Sequence, residues 1–144
     1  MKKTEQQNLF YKVFNVQEDQ NEDFYKIVKN WWEKIGWIAY PKDALSTTGI
    51  MICDKDRPIC AAWIYQTDSS TGLIGHVITE KEIKAKLKKE AVKFLFKALE
   101  QEASKLAIKM LFFMITTNSL AKIAENELGY ISTKQKCNEL VKFI

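Results

Sequence analysis

His76 is the only histidine in the chain, and therefore the only side chain whose ordinary pKa lies near neutrality. A neutral imidazole can take a proton from an attacking nucleophile; the competing reading is an ordinary strand histidine, buried and hydrogen-bonded or facing solvent. Lys81, Lys84, Lys86, Lys88 and Lys89 crowd a second stretch. Cations are unfavourable beside the positive end of a helix, so a helix starting among them would make most sense with an anion, such as a phosphate, at its N-terminus. A solvated lysine face balanced by Glu80, Glu82 and Glu90 accounts for them without a ligand. Cys53, Cys60 and Cys137 lack Cys-x-x-Cys spacing, and with one histidine a zinc site would need an unusual ligand set, so no metal is expected. Reduced, partly buried thiols in a cytoplasmic protein are the better reading, and no Cys-His-Asp nucleophile set surrounds them. Trp31, Trp32, Trp37 and Trp63 either line a ligand pocket or fill the core, as aromatic residues at helical spacing usually do. No phosphate-binding loop, dinucleotide fingerprint or metal motif is present.

These residues need elements to hold them. Asn8–Val16 is rich in β-formers and reads as a strand. Gln17–Asp23 is polar and can cap a helix in which Phe24, Ile27, Val28, Trp31, Trp32 and Ile35 recur at three- and four-residue steps, with Gly36 as its stop. Pro41 forbids a central strand over Trp37–Leu45 and favours a single helical turn. Gly49–Cys53, Pro58–Gln66 and Leu73–Ile78 are short β-like runs joined by Asp-, Ser- and Gly-containing turns, an antiparallel meander. The period then changes. Ile83, Leu87, Ala91, Leu95, Ala98, Leu99 and Leu106 form a helical stripe, starting either at a capping box Thr79-x-x-Glu82 or near Leu87. Ile108–Ile115 is nearly continuous apolar sequence, expected of a strand buried on both faces. Asn118–Leu128 is a short helix ended by Gly129, and Tyr130–Gln135 and Glu139–Ile144 are two further strands.

A length of 144 residues with 47% hydrophobic content fits one domain over residues 1–144, with a substantial core. No run approaches the roughly 18–20 apolar residues of a membrane span, and the polar start shows no secretory signal, so a cytoplasmic location is expected. The net charge is +4, but Arg57 is the sole arginine. Its isolation argues against sequence-specific nucleic-acid binding, which leans on arginine.

The order β-α-(short helix)-β-β-β-α-β-α-β-β resembles the GNAT superfamily of N-acetyltransferases over nearly the whole chain. That family often shows Asn-x-x-Ala-x-x-x-Tyr-x-x-x-Gly-Phe in its fourth helix; Asn118, Ala121, Gly129 and Tyr130 stand at the corresponding steps, with Glu125 at the tyrosine. The family's cofactor loop, Gln/Arg-x-x-Gly-x-Gly/Ala, falls on Lys86, Lys89 and Ala91, with lysine in place of the central glycine.

The resemblance implies an α+β (α/β/α) fold with a mixed, mostly antiparallel central sheet of six to seven strands flanked by helices. It implies an acetyl-CoA-dependent N-acetyltransferase acting on an amine of unspecified identity, small molecule or protein. The backbone of Val77, Ile78 and Thr79 would receive the pantetheine arm, and Lys86, Lys88, Lys89, Ala91 and Asn118 would lie at the cofactor site. His76 is the candidate base and Glu125 the candidate acid, the latter only if burial raises its carboxyl. The lost glycine and tyrosine motivate the alternative of a catalytically idle module that binds a protein partner. The chain is expected to be a monomer or a homodimer, with Glu139–Ile144 at a sheet edge where copies could pair.

Overall fold

A computed structural model describes residues 8–18, 22–115, 117–135 and 139–144. Strand β1 (Leu9–Phe14) leads into helix α1 (Glu22–Lys34), which stops at Gly36, whose φ of +78° suits a residue without a Cβ. One 3-10 turn, Lys42–Ala44, follows Pro41. Then come β2 (Thr48–Asp54), β3 (Arg57–Gln66) and β4 (Thr71–Thr79) as the expected meander, helix α2 (Ala85–Lys105), strand β5 (Met110–Phe113) and helix α3 (Asn118–Glu127).

The strands form one sheet in the order β1-β2-β3-β4-β5, antiparallel except for the parallel β4–β5 pair, whose connection is α2. Alternation sends successive side chains to opposite faces. Ile50, Ile52, Ile59, Ala62, Ile64 and Ile74 meet the α2 stripe Ala91, Leu95, Phe96, Ala98 and Leu99 on one face. Met51, Cys53, Ala61, Trp63 and Ile78 meet Val28, Trp31 and Trp32 of α1 on the other. Helix α3 joins the α2 side, where Tyr130 sets its ring edge-on to Phe96 at 5.6 Å. The fold is therefore mixed α+β with helices on both faces of a mostly antiparallel sheet.

Three expectations are corrected. The sheet has five strands among the described residues, not six or seven, because Tyr130–Gln135 and residues 139–144 are irregular. An apolar run becomes a strand only where a neighbour pairs with it, and periodicity names no neighbour. Residues 136–138, including Cys137, lie outside the described residues, as does 19–21 within the expected cap of α1. Strand β5 is accordingly an edge: Leu111 and Phe113 pack inward while Met110, Phe112 and Met114 are exposed, so it is not buried on both faces. Finally, Thr79 ends β4 and the Glu80 amide bonds to the Ile59 carbonyl, so the Thr79–Glu82 capping box does not form and α2 starts at Ala85.

Candidate functional site

Strand β4 changes character halfway. Gly72–Ile74 has a partner on each side, pairing with β3 and with β5, the latter in register Thr71↔Met110 to Ile74↔Phe113. From Gly75 onward the described pairing is to β3 alone. Here too the β3 register slips: Trp63 faces Gly75 and Ala61 faces Ile78, so His76 and Val77 stand opposite the single residue Ala62. This is a β-bulge, and His76 adopts φ +60° within it, a rare conformation for a side-chain-bearing residue.

The bulge decides which way His76 faces. Ile74 packs on the α2 side, and strict alternation would send His76 there too. With the extra residue, Val77 takes the α2 side and His76 turns to the α1 side. Its ring lies 4.1 Å from that of Tyr40, 5.6 Å from Tyr65, 6.1 Å from Trp63 and 6.4 Å from Trp32, centroid to centroid. Nε2 lies 2.9 Å from Tyr65 Oη.

The shell is braced in turn. Tyr25 Oη donates to the Tyr40 carbonyl at 2.9 Å, Tyr40 Oη donates to Glu139 Oε1 at 3.0 Å, and Tyr65 Oη donates to the Ala44 carbonyl at 3.1 Å. Gly75 contributes by what it lacks: a Cβ there would sit 2.9 Å from Tyr65 Cε2. Burial lowers the His76 pKa, against an opposing pull from the Glu139 carboxylate, and so favours the neutral ring. Burial pushes the Tyr65 phenol up to about 12, although a backbone hydrogen bond from Ser46 opposes it. Trp32 and Trp63 are fully buried walls of this cluster and Trp31 is core, whereas Trp37 is half exposed beyond it.

At the start of α2, Lys84 makes no side-chain cap and no acidic residue occupies the first turn. The helix thus opens in a lysine-rich stretch, in which Lys81, Lys84 and Lys86 are exposed and Lys88 half-buried. A phosphate fits this donor set. The motif positions are nevertheless displaced. Lys86, Lys89 and Ala91 all lie inside the helix and not in a loop ahead of it. Lys89 pairs with Glu127 of α3 at 3.8 Å, beside Lys93 at 3.2 Å, and Ala91 is fully buried in the core, where it cannot meet a ligand. Asn118 is the exposed first residue of α3, Thr117 being its N-cap.

Glu125 is exposed on α3. The burial on which an acid role would depend is missing, and that assignment is withdrawn. Ile78 is buried with its side chain in the α1-side core, and Val77 and Thr79 are half-buried, so these three offer a ligand their backbone first. Cys53 and Cys60 are buried free thiols in neighbouring strands, both raised in pKa by burial and thus poor nucleophiles. Sequence reading missed Tyr40, Tyr65 and Glu139. Only the hairpin register of β3 and β4 could have hinted at Tyr65, and nothing local points to the others.

No protein-family model matches the sequence, and no curated protein matches it. Solved structures do match in shape. An aminoglycoside acetyltransferase from an uncultured soil metagenomic sample superposes with a TM-score of 0.66 at 10% identity, covering 94% of this chain and 97% of its own. A ribosomal-protein-alanine N-acetyltransferase from Brucella melitensis biovar Abortus gives 0.63 at 11% identity, over 94% and 99%. A GNAT-family acetyltransferase from Streptococcus pneumoniae gives 0.61 at 13% identity, over 94% and 98%. At such identities the likeness is one of fold, and the chain has the GNAT acetyltransferase fold in a divergent form.

Proposed function

We propose that the chain is an acetyl-CoA-dependent N-acetyltransferase whose acceptor amine meets His76 on the α1 side of the sheet. The observation that carries this reading is the second half of β4, where an edge without a described partner and a bulge presenting a neutral histidine occur within five residues, Gly75–Thr79. Acetyl-CoA, when bound, supplies the acyl group as a thioester. The chain's own parts divide the remaining work. The backbone of Val77, Ile78 and Thr79 offers hydrogen-bonding groups to an extended pantetheine arm and to the carbonyl that must be polarised. The opening amides of α2, with Lys84, Lys86 and Lys88, hold phosphates. The His76 imidazole accepts the proton that the amine sheds. Acetyltransferase activity in proteins of the same fold supports this reading without fixing the acceptor.

Calorimetric titration with acetyl-CoA, competed by adenosine 3′,5′-bisphosphate, tests the site, and acetyl transfer to a panel of amines tests the reaction. Micromolar binding displaced by the bisphosphate is the expected result. No heat at millimolar acetyl-CoA overturns the reading in favour of a catalytically idle module that binds a protein partner. The exposed Glu125 and the Lys89–Glu127 pair favour that second reading.

A further inference from the structure

Which ring nitrogen of His76 carries the proton follows from the partners of Tyr65. Tyr65 Oη lies 2.9 Å from His76 Nε2 and 3.1 Å from the Ala44 carbonyl oxygen. A phenol has one proton, and a carbonyl can only accept. Were Tyr65 to give its proton to His76, its oxygen would face the Ala44 oxygen with no hydrogen between them. Both contacts are hydrogen bonds in one arrangement only: Tyr65 donates to Ala44, and His76 Nε2–H donates to Tyr65. Nδ1 is then the lone-pair atom of the neutral ring.

The surroundings hold this arrangement in place. Ala44 closes the 3-10 turn that precedes the fully buried Leu45. The bare Gly75 lets the Tyr65 ring lie across β4, and the bulge fixes the backbone of His76. The titratable groups facing the imidazole are Tyr65 from β3, Tyr40 from the segment after α1, and Glu139 from the C-terminal segment.

We propose that Tyr65 is a positioning residue: by accepting a hydrogen bond from Nε2–H it fixes His76 in the tautomer whose Nδ1 receives the amine's proton. Only the last clause rests on the transferase reading. In the transfer, the amine nitrogen bonds to the acyl carbon and the C–S bond breaks with its electron pair going to sulfur. The proton shed by nitrogen moves to Nδ1, making an imidazolium. The Nε2–H···Oη bond becomes charge-assisted as that happens, so Tyr65 acts more strongly on the transition state than on the bound substrates.

His76 being the sole histidine, ring-nitrogen NMR of uniformly 15N-labelled protein reports this one residue. The expected spectrum has a protonated Nε2 and a lone-pair Nδ1, and in Tyr65→Phe the two nitrogens move toward averaged positions. The same variant is expected to lower kcat about tenfold while KM stays within about twofold. A wild-type ring protonated at Nδ1, or a tautomer unchanged in Tyr65→Phe, overturns the positioning role. A tautomer that does respond to Tyr65, in a protein that acetylates no amine, supports the positioning and overturns the transferase reading alone.

Discussion

The start of α2 and the middle of β4 make opposite kinds of site. Around the N-terminus of α2, charge is plentiful and geometry loose: Lys81, Lys84 and Lys86 project into solvent, and Lys89 is drawn to Glu127. Around His76, charge is scarce and geometry fixed by four aromatic rings, three bracing hydrogen bonds and a bulge. The first arrangement suits binding of a mobile polyanion, since exposed cations act at a distance and are screened by salt. The second suits proton transfer, which needs one atom held within hydrogen-bond reach of another. Affinity and chemistry should therefore respond to different substitutions.

His76→Ala is expected to show the largest effect, a fall in kcat of roughly 10²-fold or more with the dissociation constant for acetyl-CoA little changed. A matching loss of acetyl-CoA affinity, measured by calorimetry, would dissolve the distinction between the two regions. Replacing Lys84 and Lys86 together by glutamate is the reciprocal experiment. It should weaken acetyl-CoA binding about tenfold at low salt, less at high salt, and spare kcat at saturation. A salt-independent loss would refute the electrostatic role.

The pH dependence sharpens the comparison further. Burial lowers the folded-state pKa of His76 below its usual 6.5, so the neutral base is already populated under mildly acidic conditions. Activity is expected to rise with pH through that lowered pKa, with its midpoint on the acid side of 6.5. Stability runs the same way. The unfolded chain takes up a proton as pH falls below 6.5 while the folded chain resists it, so the stability present above 6.5 is lost as pH falls toward and through the folded pKa. Thermal melts of His76→Gln, which removes the titration, should lack this slope, and an unaltered slope would assign it to other groups. The smallest effect belongs to Glu125→Gln, for which unfolding is expected to shift by no more than about 0.5 kcal/mol and kcat to stay unchanged. A substantial fall in kcat would restore Glu125 to the site.

Much of the frame was legible in the chain. The three- and four-residue steps from Phe24 to Ile35 gave α1, and the Asp-, Ser- and Gly-bearing turns gave the β2–β3–β4 meander, because amphipathic period and turn chemistry are local properties. The start of α2 and the fate of the last residues were not. Thr79 can cap a helix or end a strand, and its position opposite Cys60 made it the latter. Tyr130, beside the left-handed Gly129, went to the Phe96 ring and not to a sixth strand, since burying an aromatic ring outweighs a strand without a neighbour.

At the site the division is equally plain. By its composition the sequence set His76 as the sole imidazole and gathered lysines after β4. It could not set the face that His76 occupies, because a one-residue slip reverses every later side chain, and that slip depends on how β4 settles against β3. Nor could it bring Tyr65, eleven residues away, to Nε2. Residue type is carried by the chain itself, whereas register, tautomer and the direction of a lone pair are set by the neighbours that packing supplies.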